Sequence, residues 1–411
     1  MEVRAGYRQA EVDEIPYDWL SLSVGDLIKN KIIEKPLDGN HGNIHPKSED
    51  FVQYGIPFVM ANNVRNGNVN LQNCSYIRKE QADTLQKGFS ITGDVLLTHK
   101  ATIGNTAIVG DIPFDYIMLT PQVTYYRVVD NSRLNNIFLR HYFDSPAFQA
   151  VLKSLAEGGT RSYIGIQAQH KLPVLLPKIA EQVAIATTLS DVDALLDSLD
   201  RLITKKRNLK KAAGQQLLTG KKRLPGFSDE WEVKRLEDIT QIVMGQSPSS
   251  SNYNTNGIGL PLIQGNADIH NRKTIKRIYT SQITKRGNIG DILMSVRAPV
   301  GEISLAMFDI CIGRGVCAIR FGNNFLYHSL IFLEPTWVKH SKGSTFDSVN
   351  SFDVKAFEIF MPCDPLEQIA IADVLSNMDQ ELASLEARRE KTALLKQGMM
   401  QELLTGKTRL I

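Results

Sequence analysis

EQVAIATTLSDVDALLDSL runs from Glu181 to Leu199, and EQIAIADVLSNMDQELASL runs from Glu367 to Leu385. The second stretch follows the first by 186 residues, and the offset holds without a gap to the end of the chain. Leu189–Ser190 lies over Leu375–Ser376, Asp193 over Asp379, and the LLTGK of Leu217–Lys221 over that of Leu403–Lys407. About half of the paired positions are identical, the mark of an internal repeat. Within each copy the apolar residues step by four and three: Ile185, Leu189, Val192, Leu196, Leu199 and Ile203, then Ile371, Leu375, Met378, Leu382 and Leu385. Steps averaging 3.5 predict a long helix with a narrow coiled-coil seam. Pro177 and Pro362 precede the helices; Gly220 and Gly406 end them, where a left-handed residue is wanted. Such a helix spans about 58 Å at 1.5 Å per residue. One narrow seam is unstable alone, and two copies pack most economically on each other.

Weaker repetition extends upstream. Trp19 with Gly25–Asp26–Leu27 matches Trp231 with Glu237–Asp238–Ile239; GIPFV at Gly55–Val59 matches GLPLI at Gly259–Ile263; GDVLLTHKATIG at Gly93–Gly104 matches GDILMSVRAPVG at Gly290–Gly301. Short apolar runs such as Val95–Leu97, Thr106–Val109, Val123–Tyr126 and Ile292–Ser295 lie between Gly, Asn, Asp and Pro clusters and predict strands, with one or two helices, for example near Asn135–Leu155. The expected fold class is α+β: two mixed α/β domains (1–175 and 223–362) alternating with two long helices (176–222 and 363–411) in a pseudo-two-fold repeat.

Composition bounds the function. The 411 residues are 43% hydrophobic and 22% charged, and 47 Lys and Arg against 44 acids leave a net charge of +3. A general polyanion binder is more basic, so any nucleic-acid site depends on where the charge sits. There is no apolar run of membrane-spanning length and no apolar leader at Met1–Gln9. Cys74, Cys311, Cys317 and Cys363 show no paired spacing and are expected as free thiols in a reducing cytoplasm. Gly406–Lys407–Thr408 mimics the end of a phosphate-binding loop, but Gln401 stands where its first glycine belongs. His41 and His45 have the spacing of zinc ligands on a helix, which Gly39, Gly42 and Pro46 forbid; an ordinary loop is expected and no metal site. No catalytic signature appears.

Amide-rich, basic loops occupy equivalent places in the two variable halves. The first holds Asn62, Asn63, Arg65 and Asn68; the second holds Gln264, Asn266, Arg272, Lys273, Lys276 and Arg277. Asn and Gln match adenine edges, Arg matches guanine, and Lys and Arg on phosphates supply affinity. Lys100 and Arg297 align within the GD(V/I)L repeat and are candidate DNA contacts, as is Arg161 in the turn at Gly158–Gly159. Ser190, Asp193, Ser198, Lys205, Lys210 and Gln215 also recur 186 residues later, largely off the seam, which predicts outer faces that dock the same partner twice.

The chain resembles the specificity subunit of type I restriction–modification systems. The carriers are IPYDW (Ile15–Trp19), GGTRSYIGIQ (Gly158–Gln167), LPKIAEQ (Leu176–Gln182) and LLTGKKRLPGFSDEW (Leu217–Trp231), then GSTFDSVNSFDV (Gly343–Val354) and ELLTGKTRL (Glu402–Leu410). The second copy departs at Cys363–Asp364–Pro365, one residue longer than the first. The resemblance implies two target-recognition domains reading a split DNA site and an antiparallel coiled coil of the two helices. It also implies docking of two methyltransferase (modification) subunits and of motor–nuclease (restriction) subunits. S-adenosylmethionine, ATP and Mg2+ then belong to those partners, and this chain holds no cofactor and catalyses nothing. A coiled-coil adaptor without DNA binding fits the helices alone, but does not need two divergent domains with amide-rich loops. An enzyme in its own right lacks the expected methyl-donor and carboxylate-cluster signatures.

Overall fold

A computed structural model of the chain describes residues 4, 6–10, 14–156, 163–340 and 348–410. It divides into two compact units, Met1–Leu199 with Arg388–Ile411, and Asp200–Ala387. Each unit contains one variable domain, part of the helix that follows it, and part of the other long helix.

The two units repeat the same sheet topology. In the first, a six-stranded sheet orders its strands 37–38, 123–126, 95–98, 106–108, 67–69 and 64–65; in the second, the order is 241–244, 316–320, 292–295, 303–305, 273–274 and 269–270. The five-stranded sheets correspond as well. Strands 51–52, 75–77, 56–59, 117–119 and 89–90 match strands 253–254, 279–280, 260–263, 310–312 and 286–287 in that order. The Asp of each GD(V/I)L motif explains part of the recurrence. Asp94 and Asp291 accept backbone N–H groups of their own turns, from Ile91 and Asn288. Each also pairs with the arginine ending the neighbouring strand, Arg127 or Arg320.

The strand leading into each long helix pairs with the strand beside the tryptophan: Pro173–Leu176 with Leu20–Ser23, and Glu358–Pro362 with Trp231–Arg235. The long helices run Ile179–Leu217 and Pro365–Leu403. Those starts coincide in repeat register, so the extra residue at Cys363–Pro365 is absorbed before the helix, with Pro365 at the position that needs no N–H. Gly220 and Gly406 are left-handed (φ 68° and 74°), and the N–H groups of Lys222 and Thr408 reach back to the carbonyls of Gln216 and Glu402. The one or two helices expected near Asn135–Leu155 are two, Asn136–Asp144 and Pro146–Ala156, because Pro146 starts a new one.

Within each unit the long-helix segments run antiparallel. In the first, Glu181 pairs with Arg409 and Asp193 with Lys396; in the second, Arg223 pairs with Glu367 and Lys206 with Glu381. Ile185 and Leu189 bury into the first core with Met400, Leu403 and Leu404; Ile371 and Leu375 bury into the second with Leu217 and Leu218. Leu199 and Leu382 are also buried, whereas Val192, Leu196, Met378 and Leu385 are half-buried. Glu181 and Glu367 have no exposed surface, and each guanidinium that holds them also lies over a tryptophan, Arg409 over Trp19 and Arg223 over Trp231.

Candidate nucleic-acid interface

The amide-rich loops fold as tight hairpins. Asn66–Gly67 and Asn271–Arg272 occupy the tips, all four with positive φ, as a two-residue turn matching strand twist requires. Several candidate readers are consumed in building these hairpins. Asn63 is buried; its Oδ1 accepts from the Met60 N–H and its Nδ2 donates to the Asn73 carbonyl. Asn266 donates to Glu302 at 2.5 Å and accepts from Ser295 Oγ at 3.0 Å. Arg272 forks onto Glu334 at 2.5 and 2.9 Å and reaches the Ile303 carbonyl. A non-glycine residue at φ 60° is costly, and this bidentate pair holds it there. Arg277 pairs with buried Asp268.

The rest present themselves to solvent. Asn62 and Arg65 are exposed, and Arg65 faces Asn68 across the first tip, where Asn68 bonds the Asn66 carbonyl. Lys273 takes the corresponding place in the second hairpin, paired in register with His270. Lys276 lies over the Phe308 ring at 5.0 Å. Arg161 lies outside the described residues.

Lys100 and Arg297 occupy equivalent positions: each is exposed and forms an isolated antiparallel bridge, Lys100 with Tyr163 and Arg297 with Ser348. In the second unit Arg297 opens onto a groove of about 410 Å³ lined also by Gln264, Tyr253, Ser247 and Arg314. Gln264 Nε2 donates to the Tyr253 hydroxyl at 2.8 Å, and the Arg314 N–H donates to Ser247 Oγ at 3.2 Å. Arg314 was not singled out from sequence. Its signal is IGRGV, Ile312–Val316: a Cβ on Gly315 would stand 2.0 Å from the Gln264 carbonyl oxygen, so only glycine lets the turn lie on Gln264 and display the arginine. Among the described residues neither Arg297 nor Arg314 has an ion-pair partner. Two free cations, an amide and a phenol around one groove suit a polyanion that also offers base edges.

The recurrent helix residues divide. Ser190 and Ser376 each contact a buried histidine of their own domain, His141 at 3.2 Å and His328 at 2.9 Å. Asp193 holds Arg140 and Lys396, and Asp379 holds Lys210. Three of the six recurrences, Ser190, Asp193 and Lys210, thus bind the chain to itself, which corrects their expected role as an outer face. Ser198, Lys205 and Gln215 with Ser384, Lys391 and Gln401 are exposed. Burial drives His141 to a pKa of about 3 and His328 to about 4, so both are neutral at pH 7.

The sequence profile of the type I restriction modification DNA specificity domain matches residues 17–208 and again 228–395. The chain belongs to this family. The specificity subunit is 28% identical to the putative type I restriction enzyme MjaX specificity subunit of Methanocaldococcus jannaschii, over 98% of this chain and 96% of that one. The MjaVIII specificity subunit of the same organism is 21% identical over 96% and 94%. The fold is similar to the S subunit of a type I restriction–modification system from M. genitalium, with a TM-score of 0.64, 15% identity and 98% of each chain covered. It is also similar to a chain solved in a study of complex assembly and conformational transition of the type I system, with a TM-score of 0.56, 22% identity and coverage of 96% and 99%. Among the described residues no His, Cys, Asp and Glu group has the form of a metal site, and no helix is long and apolar enough to cross a membrane.

Proposed function

We propose that this specificity subunit reads a bipartite, asymmetric DNA site, one half with each domain, and docks two copies of a methyltransferase subunit. The observation that carries the reading is that two domains of one topology differ at equivalent positions, three of whose four residues are exposed. Lys100 stands for Arg297, and Pro121 stands where the strand register puts Arg314. A symmetric reader takes a palindrome; a pseudo-symmetric one with unlike surfaces takes two unlike half-sites. For the partner, the exposed recurrent residues Lys205 and Gln215 with Lys391 and Gln401 are joined by recurrent exposed apolar residues, Val183 with Ile369 and Leu209 with Leu395. Apolar side chains repeated in the open on two helices are what two identical docking contacts require. S-adenosylmethionine, ATP and Mg2+ are assigned to the methyltransferase and motor–nuclease subunits, and no catalytic step is assigned to this chain. Mapping methylated bases in cells carrying the system tests the site: two unlike half-sites separated by unread bases are expected, and a continuous palindrome would overturn the reading. The mass of the purified complex should show two methyltransferase copies per chain.

A further inference from the structure

The shared topology lets each position of the first domain be compared with its counterpart in the second, and at one place the chemistry inverts. Asp38 stands opposite Thr124 in the sheet, where the second domain pairs Met244 with Cys317. His99, next to Lys100, corresponds to Val296, next to Arg297. A carboxylate, an imidazole and a hydroxyl are therefore buried in one domain where the other has a half-buried thioether and a buried isopropyl and thiol. Buried polar groups cost stability unless they are hydrogen-bonded.

The Asp38 carboxylate, 3% exposed, is used to hold His41: Nε2 lies 2.7 Å from Oδ2, while Lys87 takes Oδ1. The His41 side chain itself is 49% exposed. Three residues beyond Asp38, it takes the place of Ser247, which lies three beyond Met244 and lines the groove beside Arg314. A carboxylate only accepts, so Nε2 carries the proton of the neutral ring and Nδ1 is left as an acceptor. No described residue bonds Nδ1.

We propose that His41, oriented by Asp38, reads a base in the first half-site, accepting at Nδ1 from an exocyclic amino group of adenine or cytosine. In the major groove those amines are the donors that distinguish their bases. Asp38 is then a positioning residue, and the pair supplies the first domain with a contact the second lacks. The inference rests on the DNA-reading proposal above.

The test is selection of duplexes, randomised in both half-sites, by the full-length chain assembled with its methyltransferase subunits. His41→Ala, an exposed change that leaves the core intact, should lower the preference at one base pair of the first half-site by roughly tenfold. The second half-site should stay as it was. Asp38→Asn, which frees the ring from its acceptor-only partner, should alter preference at that same base pair and no other. If the wild type selects two half-sites and His41→Ala selects the same two with equal stringency, His41 reads nothing and this inference fails alone. Loss of stringency in both half-sites would overturn it equally, as general damage. A wild type that enriches no sequence would bring down the DNA-reading proposal together with this one.

Discussion

Arg314 and Arg272 are both arginines of the second domain near glycine- or asparagine-rich turns, and their surroundings give them opposite work. Arg314, between Gly313 and Gly315, has no ion-pair partner among the described residues, whereas both terminal nitrogens of Arg272 are taken by Glu334. Arg314→Ala is expected to weaken binding about equally for all duplexes and to reduce the log–log salt slope by about one, if it touches phosphate. Titrations at several salt concentrations measure it. Arg272→Ala should lower the melting temperature and strand Glu334 without its partner, while Lys273→Ala, one residue on, should change DNA affinity and leave melting untouched. The reverse pattern would show the hairpin tip to be the reading surface. Lys100 and Arg297 were legible by alignment alone; Arg314 was not, because its counterpart is Pro121 and no repeat draws attention to it.

Between elements, the domain helices are joined to the long helices by buried histidines. Ordinary histidine titrates near 6.5, and burial lowers His141 to about 3 and His328 to about 4. The unfolded chain therefore takes up protons that the folded one refuses. Their contribution to stability is fully present above pH 6.5 and is lost as pH falls toward 4, by about 1.4 kcal/mol per pH unit for each histidine. Melting temperatures from pH 7 to 4.5 should fall, and the fall should be shallower in His328→Gln. An equal slope in wild type and variant would mean that this junction does not govern acid stability. Helix interior chemistry yields a second prediction. Gly214 sits inside the first long helix where the repeat has Met400, and a Cβ there would meet only Leu218, at 3.7 Å. Gly214→Ala should stabilise the protein by roughly 0.5–1 kcal/mol, measured by chemical denaturation.

For the whole molecule, both long helices contribute residues to both units, and if the proposed split site is read by the two domains, helix length is the variable to test for the gap between half-sites. Inserting seven residues after Leu196 and seven after Leu382 keeps the 3.5-residue seam, whereas four would introduce a stutter. Seven residues add about 10 Å of helix, and duplex DNA rises about 3.4 Å per base pair. The preferred gap should grow by roughly three base pairs with both half-site sequences unchanged. Selection from a library of randomised gap lengths reports it directly, and an unchanged optimum would show that the helices hold partners without setting the distance.

The repeat, the two long helices, their glycine ends and the strand-rich character of the variable domains all follow from sequence, because each is written in local spacing: an offset of 186, steps of three and four, a glycine where φ must be positive. The family was equally legible, since its motifs are contiguous. What each polar side chain does was decided only by folding. Asn63, Asn266 and Arg272 look like readers in the linear chain and become structural ties, Asn63 to its own loop and the other two to Glu302 and Glu334, 36 and 62 residues away. His41 looked like an idle loop residue until the sheet brought Asp38 and Thr124 into register and buried the carboxylate that aims it. Hydrogen-bond satisfaction is a property of neighbours in space, and neighbours distant in sequence leave no periodic trace.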